Sequence, residues 1–171
     1  MANRVYVNVE DYRLIDGKTV VEDVTQVGLP TIKKKTTTVS AAGMVADIDM
    51  PNATRYEAMD YTIQHNNGMN HKALARPGKH TQEFRTVRQY YDTEKSTMKM
   101  QSVKFRLTGV HVETQKGNIE TGSPYGSTDR YSLLRYEEEI NGSIVQVIDV
   151  AAGVVKYDGK EYTDEVNNLL K

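Results

Sequence analysis

The chain has 171 residues and a mass of 19.3 kDa, enough for one domain with its own core and no need of disulfide or metal staples. Lys and Arg number 22 against 23 Asp and Glu, so the net charge of −1 lacks the basic excess of a dedicated nucleic-acid binder. Cysteine is absent, which excludes a disulfide framework, a thiolate nucleophile and a cysteine-type zinc site, and suits a reducing compartment. A hydrophobic share of 38% with a mean hydropathy of −0.61 is thin for a monomer built on a single core, and points to help from neighbouring copies.

The first residues, MANRVYVNVEDYR, alternate Val5, Val7 and Val9 with polar side chains instead of forming the apolar run of a secretion signal. No stretch approaches the roughly 20 apolar residues of a membrane helix. The alternation predicts a strand over residues 4–10 with the three valines on a buried face. Asp16-Gly17 is a turn dipeptide joining residues 12–15 to a β-branched run over 19–27, and Pro30 ends regular pairing. Residues 33–39, KKKTTTV, read as an exposed strand. The small residues 40–43 make a loop or hairpin tip. Residues 55–65 fit both helical and alternating patterns, and Tyr61, Thr62 and Ile63 favour strand.

Helix formers over 69–75, between Asn67-Gly68 and Pro77-Gly78, predict a short helix. Residues 82–91 read as a strand. The longest candidate covers 97–115, where Val103, Phe105 and Leu107 share one face and Val110 and Val112 resume on the opposite parity; a bulge at Gly109 would keep both sets on the core. Residues 116–129 hold Gly117, Gly122, Pro124 and Gly126 and form a loop. Strands over 131–140 and 144–150 flank Asn141-Gly142, the strongest hairpin signal in the chain, and Asp158-Gly159 joins 154–157 to 160–162. Thr163 or Asp164 caps a C-terminal helix within 163–171, with Val166, Leu169 and Leu170 on one face.

Chemistry is sparse. His65, His71, His80 and His111 are scattered without metal-site spacing. Asp47 and Asp49 lack the glycine and distal glutamate of a calcium loop. The Gly122 to Gly126 segment has the wrong spacing for a phosphate loop and no lysine after its second glycine. A hydrolase built on Glu137, Glu139 and Asp129 would lack a nucleophile, base and orienter in register. No cofactor or metal site is expected. On a strand Glu137 and Glu139 share a face, as do Lys33 and Lys35. Opposed acidic and basic strips of this kind would set register between identical copies; the alternative is a hydrated edge that Lys guards against pairing. The seven methionines fit adaptable packing.

The ordered set of features resembles the major tail tube protein of contractile-tailed bacteriophages and of phage-tail-like (R-type) bacteriocins, over nearly the whole chain. It is carried by the DGKTV hairpin with Leu29-Pro30, the TTTVSAAGMVADIDMP stretch, the IETGSPYGSTD loop before a long acidic strand, and the C-terminal KYDGKEYTDEVNNLL. The resemblance implies one tail-tube domain over 1–171, mainly β (β-sandwich or barrel-forming, with long hairpins) plus one or two short helices, and a structural, non-enzymatic role. It implies hexameric rings that stack into a tube, in a virion tail or tail-like particle assembled in the bacterial cytoplasm. Implied partners are further copies of itself, a surrounding sheath protein, baseplate and tail terminator proteins, and DNA or a tape measure protein in the lumen. Lys33, Lys35, Thr37, Met44, Asp47 and Asp49, in an extended assembly segment over 33–49, are expected at subunit contacts together with Glu137 and Glu139. A monomeric ligand-binding β-barrel and the tube subunit of a type VI secretion system are the alternatives.

Overall fold

The computed structural model describes residues 4–66 and 74–171. In chain order the strands are β1 (Arg4–Asp16), β2 (Thr19–Val21), β3 (Val24–Gly28), β4 (Lys34–Val39), β5 (Ile48–Tyr56), β6 (Asp60–His65), β7 (Lys79–Asp92), β8 (Thr97–Lys116), β9 (Ser127–Ile140), β10 (Ser143–Asp149), β11 (Val154–Tyr157) and β12 (Lys160–Glu161), followed by a short helix, α1 (Asp164–Leu169). The main sheet runs β12-β11-β10-β9-β8-β7-β1-β2 with antiparallel neighbours. β4 and β5 form a separate two-stranded sheet. Among the described residues no helix is long and apolar enough to cross a membrane.

The main sheet forks along β9. Residues 127–132 of that strand pair with β6, and residues 135–140 pair with β10, both on the edge turned away from β8. At the fork Leu133 N donates to Met59 O and Val150 N donates to Leu134 O. β3 pairs with β6, and this limb contributes Tyr61 and Ile63 to a core shared with Leu14, Phe84, Leu107, Tyr131 and Tyr136. Tyr61 and Tyr131 stack with centroids 4.9 Å apart, an arrangement in which two large rings fill the centre with little void. Their hydroxyls stay satisfied: Tyr61 Oη donates to Gln82 Oε1 and Tyr131 Oη to the Leu74 carbonyl. The curled sheet does not close. Tyr12 Oη donates to Val24 O at 2.8 Å across the seam between β1 and β3.

The turn chemistry of the sequence holds. Asn141 and Gly142 both have positive φ, as do Asp158 and Gly159, the requirement of a tight two-residue hairpin turn. Residues 60–65 are strand, and the mainly β fold class stands. The second run over 19–27 is divided at Asp23, whose positive φ lets β2 stay with β1 while β3 departs to β6. The predicted helix over 69–75 lies outside the described residues except for its last two positions.

Three expectations change. Val5, Val7 and Val9 are each more than half exposed. Register shifts against β7 at Val7 and Glu10 break the alternation, and this end of β1 lies beyond the core, where Arg88 stacks over the Tyr6 ring. Val110 and Val112 are likewise exposed. β8 pairs with β7 without a break through Gly109, and the residue inserted opposite it is Leu134 of β9. Gly109 is needed for close approach, since a Cβ there would lie 2.7 Å from Ser132 O and 2.8 Å from Tyr61 Cε1. Finally, Val166 and Leu169 on α1 and Leu170 just beyond it are exposed, and the Thr163 hydroxyl donates to Glu161 instead of capping the helix. Gly109→Ala is expected to cost about 1–3 kcal/mol as overpacking does, read as a lowered urea midpoint at unchanged slope; an unshifted midpoint would contradict this contact.

Candidate assembly surfaces

The β4–β5 hairpin stands apart from the core. Every residue from 33 to 53 is exposed. Thr36 pairs with Pro51, Thr37 with Met50, Thr38 with Asp49 and Val39 with Ile48. The hairpin is anchored at its base, where Lys33 Nζ meets Glu57 at 3.0 Å, Glu57 N donates to Lys33 O, and the Tyr56 and Tyr157 hydroxyls lie 3.0 Å apart. Lys35 and Thr37 lie on β4, Met44 and Asp47 in the connection, and Asp49 on β5, where it accepts from Thr38. The arm also exposes Val39, Met44, Val45, Ile48 and Met50. Such apolar side chains on a hairpin without a core are ready to be covered by another surface.

A second surface is the face of the main sheet turned away from the core. Cross-strand register places Glu83 and Arg85 of β7, Lys104 and Arg106 of β8, Arg135, Glu137 and Glu139 of β9, Asp149 of β10, Lys156 of β11 and Glu161 of β12 on that one face. Their charges are matched in series. Glu83 takes Arg85 and Arg106, Glu137 takes Arg106 and Arg135, and Asp149 takes Arg135. Lys104 reaches Glu139 at 2.8 Å and Lys156 reaches Glu161 at 2.7 Å. Burial tends to raise the Glu83 carboxyl, but hydrogen bonds from Arg85 and Arg106 outweigh it and hold it below its ordinary range. Glu137 and Glu139 are therefore engaged within their own chain, and the subunit does not bring them to Lys33 and Lys35.

A third surface is an open edge. Over residues 4–13, β1 pairs only with β7, and its other side carries no strand among the described residues. Beside it, at the seam facing β3, an apolar cleft of about 370 Å³ is lined by Val9, Tyr12, Val27, Leu29, Phe84 and Phe105.

Two buried clusters that sequence patterning missed clamp the fold. His80 Nδ1 lies 3.0 Å from Asp16 Oδ2, tying β7 to the end of β1. His65 Nε2 lies 3.0 Å from both Asp129 Oδ2 and Ser127 Oγ, while Thr114 and His111 reach Asp129 Oδ1. Because serine and aspartate meet the same ring nitrogen, His65 does not relay protons between them as a hydrolytic triad requires. Burial alone would raise the Asp129 carboxyl; hydrogen bonds from Thr114, His65 and His111 reverse this and hold it below its ordinary 3.8. Its contribution to stability is present above that value and is lost as pH falls through the depressed folded one. Asp129→Ala is expected to cost about 3 kcal/mol near neutral pH, since it strands buried partners. The deficit should shrink as chemical denaturation is repeated below pH 3.8; a deficit constant with pH would contradict the clamp.

An open-edged β subunit with an uncovered arm is an assembly protein in its architecture. The chain belongs to the phage tail tube protein FII family, whose model matches residues 12–170, and it is a structural tail tube subunit. Its fold is similar to a chain of an extracellular contractile injection system, the PVC sheath–tube complex in its extended state, with a TM-score of 0.51 and 12% identity over 78% of this chain and 90% of that one. A chain of the anti-feeding prophage (AFP) baseplate matches with a TM-score of 0.43 and 12% identity, covering 75% and 90%. No curated protein matches.

Proposed function

We propose that residues 1–171 act as one tube domain whose copies form six-membered rings, and that these rings stack into the inner tube of a contractile phage tail or tail-like particle. The observation that carries this reading is the unbroken exposure of residues 33–53 on a hairpin with only its own two strands, in a tail tube family member. A lone two-stranded hairpin is marginal in water, and docking Lys35, Thr37, Met44, Asp47 and Asp49 against a neighbouring copy supplies the missing support. The open β1 edge supports the same reading: paired with a neighbour's sheet it becomes part of a continuous wall with no exposed edge. Such a contact uses different surfaces on the two copies, and it closes a ring.

The tube sits inside a sheath, as in the sheath–tube complex to which the fold is similar. Baseplate and tail terminator proteins meet its two ends. Its channel serves passage of DNA, a tape measure protein or ions, without catalysis, and the particle assembles in the bacterial host cytoplasm. With Glu137 and Glu139 already matched by Arg106, Arg135 and Lys104, the arm makes its contacts through Lys33, Lys35 and its apolar residues, not through opposed charged strips.

Electron microscopy of the purified chain at rising concentration is expected to show rings and tubes. Lys33→Glu together with Lys35→Glu breaks the pair with Glu57 and inverts the charge of the arm, and should reduce tube formation at least tenfold while circular dichroism of the subunit stays unchanged. Tubes forming as before would remove the arm from the interface. A chain that stays monomeric at high concentration would contradict the whole reading.

A further inference from the structure

Resting on the tube reading above, the geometry points to the charged face of β7–β12 as the wall of the channel, a lining whose matched charges let polyanionic cargo pass without being held.

When a sheet closes into a ring through its edges, one face turns to the axis and the other outward. The core face carries a second layer, the β3–β6 limb, with Tyr61, Ile63 and Tyr131 packed beneath it. That layer needs the wider outer circumference. The opposite face carries no covering element and is a single sheet thick, which suits the inner wall.

The arm exposes Val39, Val45, Ile48 and Met50, and beyond the ladder rows the same sheet face exposes Val5, Met98 and Met100 at the far ends of β1 and β8. These surfaces need protein cover. Within the ladder rows Val147 is buried and Ile144, at the β9–β10 turn, is exposed, while Val87 and Val110 are exposed on the same face in the rows that flank the ladder. The ladder itself is satisfied without a partner protein. Arg85, Lys104, Arg106, Arg135 and Lys156 face Glu83, Glu137, Glu139, Asp149 and Glu161 in equal numbers, each bonded to at least one opposite charge. A surface in that state is complete when it faces water.

A polyanion is retained when free Lys and Arg side chains displace its counterions. Here each ladder cation already holds a carboxylate, with Lys79 and Arg13 on the same face at its margins, and the residual field of matched pairs fades within about 8 Å at physiological salt.

The chain contains no cysteine, so one introduced thiol reports on one site. Thr81 and Ser102 are exposed on this face, in β7 and β8. In intact tubes of Thr81→Cys and of Ser102→Cys, a small maleimide should react nearly as fast as in disassembled subunits, whereas a maleimide on a bulky polymer should slow at least tenfold. Equal reaction of the bulky reagent in tubes and subunits places the face outside and overturns the assignment. Loss of reaction with both reagents in tubes places it between copies and does the same. If neither variant assembles while the unsubstituted chain does, the face is a packed contact and the assignment falls. If the unsubstituted chain forms no tubes, the tube reading itself fails. Tubes carrying Glu83→Gln and Glu139→Gln, which free Arg85 and Lys104, should retain a short DNA duplex at least tenfold more than unsubstituted tubes; equal retention would overturn the charge matching.

Discussion

The 20-residue strand β8 pairs with β7 from Thr97 to Val110 and with β9 from Val103 to Lys116, so that its centre is flanked on both sides, and the rest of the subunit depends on that three-stranded spine. Its length far exceeds what the core needs. Near the centre Leu107 and Gly109 face the stacked tyrosines, and Gly109 can do so only because it lacks a side chain. Towards Thr97 the same strand runs out beyond the core with β7 and the start of β1. The buried His80–Asp16 and His65–Asp129 pairs then fasten β1 and the β6 limb to the spine. Removing either carboxylate would strand buried polar groups, so these clusters act as clamps.

This spine separates two kinds of surface. On one face the ladder charges of β7–β12 are answered within the chain, with Lys79, Arg13, Val87 and Val110 standing on the same face at the ladder's margins. Along the arm and the far strand ends, apolar side chains and an unpaired edge are left without cover. A monomer would gain by burying the second kind and would not need so many residues for the first. Copies that share edges and arms explain both, and they also explain a hydropathy too low for a self-sufficient core.

Much of the fold was legible in local chemistry. Asn141-Gly142 and Asp158-Gly159 announced their turns because few residue pairs accept two positive φ values in succession. The exposure of the Thr-rich strand β4 was legible because no apolar stripe competes there. The face of Val5, Val7 and Val9 was not, since alternation cannot reveal the register shifts at Val7 and Glu10 or where the core ends. Gly109 marked a real irregularity, but the inserted residue lies on β9, and a pattern read one strand at a time cannot say which of two strands bulges. The ladder was partly visible. Lys104 with Arg106, and Arg135 with Glu137 and Glu139, recur at same-face spacing on two long strands. What was missing was that those strands are adjacent, which turns apparent binding strips into internal pairs. The His–Asp clamps join residues more than sixty positions apart and left no local signal.

The central claim is that exposed backbone and side chains of this subunit are completed by other copies. Amide hydrogen exchange compared between dispersed subunits and the assembled state measures this most directly. The account predicts strong new protection over residues 4–13 of β1 and over 33–53 of the arm, while the already paired centre of β8 changes little. Exchange over both segments as fast in the assembled state as in the subunit would contradict it.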